Sequence, residues 1–207
     1  MMNLKERFQQ NCLQYIQDQN LIKSLWLEIE NKYSEKSRHY HSLDHLENMF
    51  SELDEVKDQI LNFTNISFSV FYHDIIYNAS SKSNEEKSAH FVKEILQKLN
   101  FNRSDIEEIY TQILATKTHQ KSENNDINYL LDADLSILGK DNQTYLDYTK
   151  KIRKEYSIYP DFLYKPGRRK VLQHFLELES IFKTDSFKEK YEKQAKENIK
   201  SEMLLLL

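Results

Sequence analysis

The sequence predicts an all-α fold, a single helical bundle over residues 1–207, and three observations predict it. Two glycines and two prolines are too few for the tight turns of an all-β or Rossmann-like chain. Charged residues make up 30% of the chain, rich in Lys and Glu, and lie among apolar residues at helical spacing, the pattern of amphipathic helices. No hairpin signal flanks the most apolar stretch, Asn65 to Tyr77. The length suffices for one well-buried core. Internal repeats, low-complexity segments and domain linkers are not evident.

The first helices are expected over about Leu4 to Gln17 and Leu21 to Tyr33, with Trp26, Leu27 and Ile29 assigned to the core. A polar link, Ser34 to Tyr40, follows. Ser42 can then cap a helix reaching about Ile60, with His45 in its first turn. Asn65 to Tyr77 suits a strand or a buried helix by length; without a hairpin signal it reads as helix, carrying His73 and Asp74 on a buried element. Unpaired polar groups are costly there, and a metal would resolve that cost. Asn78 to Ser83 reads as a loop. Ser83 or Asn84 caps the next helix, to about Leu99, with Glu85 and Glu86 in its acidic first turn. Further helices are expected near Arg103 to Thr116, Asn125 to Leu138, Asp141 to Tyr156, Gly167 to Phe182 and Ser186 to Met203. Pro160 and Pro166 should bracket a proline-shaped loop.

A net charge of -4 does not favour extended nucleic-acid binding. The basic clusters Lys150-Lys151-Ile152-Arg153-Lys154 and Lys165 to Lys170 read as solvated helix faces. Cys12 is the only cysteine, which excludes an intrachain disulfide and fits a reducing cytoplasm. The N-terminus lacks the apolar core of a signal peptide. No apolar run approaches the roughly 20 residues needed to span a bilayer. A cytoplasmic location without a membrane partner is therefore expected.

The chemistry-bearing residues fall at the edges of the helical patterns. They are His41 and His45 in Tyr40-His41-Ser42-Leu43-Asp44-His45, the His73-Asp74 doublet, His119, and Asp132 and Asp134 in Leu131-Asp132-Ala133-Asp134. A helical bundle builds a metal site in this way, from single ligands projecting inward from several helices. Imidazole and carboxylate without thiolate suit Mn, Fe, Ni, Zn or Mg. Such a site makes hydroxide from water near neutral pH, and hydroxide cleaves phosphate esters.

Each segment also has a plainer reading. His41 and His45 share a helix face only if the helix begins that early, and a surface His beside a capping His is the alternative. Ser42 follows His41 where a metalloprotease pair would need Glu. His73-Asp74 could be an ordinary buried pair. Asp132 and Asp134 could be one exposed and one capping carboxylate.

In order, His…His-Asp…Asp resembles the HD-domain superfamily of metal-dependent phosphohydrolases. The chain is similar, over nearly its whole length, to a little-characterised family of predicted HD phosphohydrolases. The segments are Arg38-His39-Tyr40-His41 with His45, Phe71-Tyr72-His73-Asp74-Ile75-Ile76-Tyr77, and Asn84-Glu85-Glu86-Lys87-Ser88-Ala89. Ala115-Thr116-Lys117-Thr118-His119, Leu131-Asp132-Ala133-Asp134-Leu135, Ile152-Arg153-Lys154-Glu155-Tyr156 and Gly167-Arg168-Arg169 follow.

The resemblance implies an HD-type bundle with a divalent metal (Mn, Mg, Zn, Fe or Ni) in its core, near one open face. It implies His45, His73, Asp74 and Asp134 as ligands. Asp134 is preferred to Asp132 because HD proteins with an Asp-x-Asp pair usually ligate through the second. Asp74 counts among the catalytic groups as well. The Tyr40-His41…His45 segment is similar to cyclic-nucleotide phosphodiesterases, which makes His41 the candidate general acid; imidazole, with a pKa of about 6.5, suits that role. His119 could serve a second metal, or bind phosphate with Lys117. The further histidines of two-metal patterns are missing, so one ion is expected. Glu86 could orient the attacking water, or be a helix N-terminal carboxylate. Arg38, Arg153 and Arg168 could hold phosphate bidentately, or be salt-bridged surface residues.

The implied activity is metal-dependent hydrolysis of a phosphate ester, a nucleotide or another small phosphorylated metabolite, by a phosphomonoesterase or phosphodiesterase. The rivals are a di-iron HD-type oxygenase, a non-catalytic nucleotide-binding module and a purely structural helical protein. The expected partners are the small phosphorylated substrate and a second copy of the chain.

Overall fold

A computed structural model describes residues 2–207. Its helices are α1 (Leu4–Leu13), α2 (Gln19–Tyr33), α3 (Leu43–Glu55), α4 (Phe63–Tyr72), α5 (Asn84–Lys98), α6 (Arg103–Ala115), α7 (Asn125–Leu135), α8 (Asn142–Glu155), α9 (Asp161–Glu177) and α10 (Asp185–Leu205). Two short 3-10 turns, Lys57–Gln59 and Ser136–Gly139, follow α3 and α7. The described residues contain no strand, so the chain is all-α.

Side chains that satisfy the free amides of a helix start set most of the boundaries. Asn3 and Glu6 form a capping box on α1. Asp18, Asn62, Asn102, Asn124 and Asp141 cap α2, α4, α6, α7 and α8. Ser42 stands at the cap position of α3 without a capping bond, because the His45 amide that it would satisfy donates to the Ser42 carbonyl at 3.1 Å. Ser83 likewise caps nothing by its side chain, and the Asn84 amide is used on the backbone of Asn78.

Helix α4 is the centre of the bundle. It packs against α1, α3, α5, α6 and α7, and every residue from Asn65 to Tyr72 is buried. Several of its polar side chains are partnered: Ser67 donates to the Phe63 carbonyl, Ser69 to Gln112, and Asn65 to Asp105 and Glu108, while the buried Tyr72 hydroxyl has no partner among the described residues. Phe8 packs edge-on against its Phe68 and Phe71, Trp26 edge-on against Phe71, and Phe8 and Trp26 are tilted against each other. Burial on all sides explains why this stretch carries no amphipathic pattern. Trp26 and Ile29 join the core as expected. Leu27 does not; it is 43% exposed, because each helical residue turns about 100° from the last.

Three expectations need correction. Helix α4 ends at Tyr72, not Tyr77, so His73 is its C-cap and Asp74 lies beyond it. Arg38 accounts for the early stop: its guanidinium donates to the carbonyls of Asp74 at 2.7 Å and Ile75 at 3.0 Å, which a continuing helix would need for itself. Pro160 and Pro166 do not bracket a loop. Pro160 is the N-cap of α9, its carbonyl accepting from Leu163 and Tyr164, and Pro166 lies inside the helix. Finally, α9 ends at Glu177, not Phe182. The amides of Ile181 and Phe182 donate to Glu192, and those of Lys183 and Thr184 to Asp132, which leaves none for a helical ladder.

Helix α10 closes the bundle against the 3-10 turn after α7. At Gly139 in that turn any Cβ would lie 2.5 Å from the Cβ of Tyr191, so only glycine allows this approach.

Candidate metal centre

The ends of four helices meet at one place. His41 lies in the turn before α3, and His45 in the first turn of α3. His73 and Asp74 leave the C-terminus of α4, Asp134 sits in the last turn of α7, and His119 follows the C-terminus of α6. His119 holds a left-handed backbone, φ 51°, with its amide donating to the Ala115 carbonyl. Helix termini rather than helix faces thus supply the candidate ligands, which is why a same-face reading of His41 and His45 does not apply.

His45 Nε2 and His73 Nε2 face each other at 3.2 Å. Asp74 Oδ2 is 3.2 Å from His73 Nε2, and Asp134 Oδ1 is 3.2 Å from His45 Nε2 and 3.9 Å from His73 Nε2. One ligand atom each from His45, His73 and Asp74 lie within 4.8 Å of one another, so this group could hold a metal ion. His73 Nδ1 lies 2.9 Å from the Val70 carbonyl. Nδ1 donates its proton to that carbonyl, so Nε2 is the nitrogen that faces the cluster and, on losing its proton, would offer a lone pair to an ion there. The donor set of imidazole nitrogen and carboxylate oxygen fits Mn, Fe, Ni, Zn or Mg.

The electrostatics favour a positive charge at this point. Burial lowers the basicity of His73, yet the adjacent Asp74 carboxylate outweighs it and lifts the pKa to about 9. Burial alone wins at His45, whose pKa falls. Asp74 and Asp134 are held below the usual carboxylate range: burial opposes this, but His73 and His41 act on Asp74, and His119 and His45 on Asp134. His119 Nε2 meets Asp134 Oδ2 at 2.9 Å, which orients that carboxylate.

Glu155, at the end of α8, organises the remaining histidine, and the motif-based reading assigned it no role. Its Oε1 accepts the amides of His39, Tyr40 and His41 at 2.7, 2.7 and 2.9 Å. Its Oε2 accepts from His41 Nδ1 at 2.6 Å and from the Tyr77 hydroxyl at 3.0 Å. Tyr77 also stacks on the His41 ring, centroids 4.2 Å apart. His41 is thereby fixed with Nδ1 on Glu155 and Nε2 3.9 Å from Asp74 Oδ2. Burial disfavours its charged form, but Asp74 and Glu155 together raise its pKa. A sequence signal for Glu155 existed: it continues the stripe Tyr145, Tyr148, Ile152 along the buried face of α8.

Asp132 and Asp134 part company. Asp132 is fully buried and accepts from the Lys183 amide and from the amide and hydroxyl of Thr184, so it fastens the start of α10. Asp134 belongs to the cluster.

The remaining candidate residues lie among structural partners, and Arg153, Arg168 and Glu86 fit their plainer readings as ion-paired side chains and a helix N-terminal carboxylate. Arg38 gives its guanidinium to backbone carbonyls, also reaching that of His41 at 3.3 Å, and so ties the His41 turn to the Asp74 turn. Arg153 is used on Asp161 and on the carbonyls of Tyr156 and Tyr159. Arg168 is ion-paired with buried Glu202 and donates to Tyr148. Glu86 and Lys117 pair with each other at the surface. Their hydrogen bonds, among the described residues, reach no member of the cluster. A cleft lined by Tyr40, Asn48, Lys140 and Thr144 opens onto His45 and Asp134.

Comparison with protein-family models, with curated proteins and with solved structures finds no match.

Proposed function

We propose that this protein is a divalent-metal-dependent phosphohydrolase acting on a small phosphate ester, a nucleotide or another phosphorylated metabolite. One observation carries the reading: His45, His73, Asp74 and Asp134 converge on a point beside a histidine that Glu155 has already oriented. The resemblance of the motifs to HD-domain phosphohydrolases agrees with it.

His45, His73, Asp74 and Asp134 would hold the metal. When bound, a divalent ion supplies Lewis-acid polarisation of a phosphoryl oxygen and lowers the pKa of water. The protein's own part begins with His41. Glu155 and Tyr77 fix its ring, and the carboxylates around it keep a proton on Nε2 that can pass to the leaving oxygen. Asp134 is kept in one orientation by His119. Arg38 holds the two loops that carry His41 and Asp74 at a fixed spacing. A small cleft beside His45 and Asp134 is where this reading would bring the ester to the metal.

Metal analysis of protein made without a histidine tag, beside Asp74→Ala, tests the reading. About one equivalent of metal, lost in the variant, together with phosphoester hydrolysis restored by adding that metal back, is the expected result. No metal in either protein after soaking with divalent ions would end the proposal. The contact of His119 with Asp134 favours one second reading, a two-ion centre. Two equivalents of iron with oxygen consumption would move the assignment to an oxygenase, and tight nucleotide binding without turnover would move it to a binding module.

A further inference from the structure

The turn joining α8 to α9 turns large apolar side chains outward. Ile158, Phe162 and Leu163 are exposed by 64, 74 and 53%. Of the seventeen residues of α9 only Tyr164 and Leu172 are buried, so the helix lies on the body by a narrow edge. Arg153 braces the turn through Asp161 and the carbonyls of Tyr156 and Tyr159, which holds the apolar residues outward.

Cations surround them. Residues 150–170 contain eight Lys and Arg against two acidic residues, in a chain whose net charge is -4. Both acids are neutralised: Glu155 is buried against His41, and Asp161 pairs with Arg153. Lys151, Lys154, Lys165, Arg169 and Lys170 form no ion pair among the described residues. On α9 the spacings Phe162–Pro166–Arg169 and Leu163–Gly167–Lys170 put apolar residues and cations on one outer face.

We propose that this turn and the first two turns of α9 form a peripheral docking surface for an anionic lipid bilayer, independent of the metal centre. An apolar tip ringed by cations matches the headgroup boundary of such a bilayer: the tip enters the acyl edge while the cations stay at the phosphates. A second copy of the chain meeting this face about a two-fold axis would set cations against cations. Ile158, Phe162 and Leu163 offer no hydrogen bonds to read base edges. The expectation of no membrane partner rested on the lack of a spanning segment, and no helix here is long and apolar enough to cross a membrane; a surface contact needs none.

The test is co-sedimentation of the full chain with phosphatidylglycerol/phosphatidylcholine vesicles at low salt. Binding is expected there, absent on phosphatidylcholine alone and released by high salt. The Phe162→Ser, Leu163→Ser double variant should lose it, and Lys154→Glu, Arg169→Glu should weaken it about tenfold or more. All four side chains are exposed, and unchanged helical circular dichroism would show that the fold persists. No binding to the anionic vesicles would overturn the proposal. So would binding that the variants leave unchanged, or capture by an acidic polypeptide or RNA in preference to the vesicles.

Discussion

Two buried carboxylates in this protein have nearly the same surroundings and opposite behaviour. Glu155 collects three backbone amides from the turn before α3. Asp132 collects two amides and a hydroxyl from the start of α10. Burial raises the pKa of both. At Asp132 the donors do not offset it, and the pKa stays raised. At Glu155 the hydrogen bond from His41 reverses it and brings the pKa down to about 2. Backbone amides anchor both carboxylates; the direct hydrogen bond from His41 turns the pKa of Glu155 downward, whereas the charge of Lys183, which forms no ion pair with Asp132, does not do so there. Three bonded amides mark a structural joint; the histidine beside them makes the joint a candidate for catalysis.

The largest expected effect breaks this comparison on the activity side. Glu155→Gln keeps the shape but presents an amide N–H₂ or a weaker acceptor to His41. The proposed hydrolysis should fall by about 10²- to 10⁴-fold, the worth of a general acid, while the metal content expected under that proposal stays unchanged. Asp132→Asn should leave turnover per folded molecule intact. A loss of activity as large in Asp132→Asn as in Glu155→Gln would erase the distinction.

Stability comes next. Asp132→Ala strands two buried amides and should cost about 2–4 kcal/mol, seen as a fall in the denaturation midpoint. The acid limb then separates the two sites by sign. Glu155 is depressed from 4.5 to about 2, so its contribution is full above about pH 4.5 and disappears as pH falls towards 2. That contribution amounts to about 3 kcal/mol, and Glu155→Gln should flatten the acid limb. The raised pKa of Asp132 works the other way, its protonation partly offsetting acid unfolding. Urea midpoints between pH 2 and 6 would show whether the two slopes differ in sign.

Arg38→Lys should have a smaller effect. It keeps the charge but cannot bridge the carbonyls of His41, Asp74 and Ile75 together. Metal affinity should drop about tenfold, the usual worth of an outer brace, as read by competition with a chelator. The smallest effect serves as the control: Leu27→Ala, on the outer face of α2, should change stability by less than about 0.5 kcal/mol.

Much of the fold was legible because local signals carry it. Asn, Asp and apolar spacing mark where α1, α2, α6, α7 and α8 begin, and the uniformly apolar stretch before His73 marks the central helix. Where those signals failed, distant groups had claimed the backbone. Arg38 stops α4, Glu192 and Asp132 stop α9, and Pro166 is accommodated within α9. The site divides in the same way. Titratable residues at the edges of apolar segments could be picked out as ligand candidates, because charge beside burial is visible in one dimension. The basic residues could not be sorted, because Arg153, Arg168 and Lys117 look alike until their partners are known.

By itself, then, the sequence determined that the chain is helical, roughly where its helices lie, and that histidines and aspartates cluster at their ends. Helix formation and capping depend on neighbours within about four residues, so the chain states them outright. The sequence reading already preferred Asp134 to Asp132; only the tertiary structure showed Asp132 fastening α10, made Glu155 the partner of His41, and set Arg38 against backbone carbonyls as a brace. Each of those outcomes depends on groups far apart in the chain meeting within hydrogen-bonding distance, and a buried polar atom takes its role from whichever partner packing brings to it.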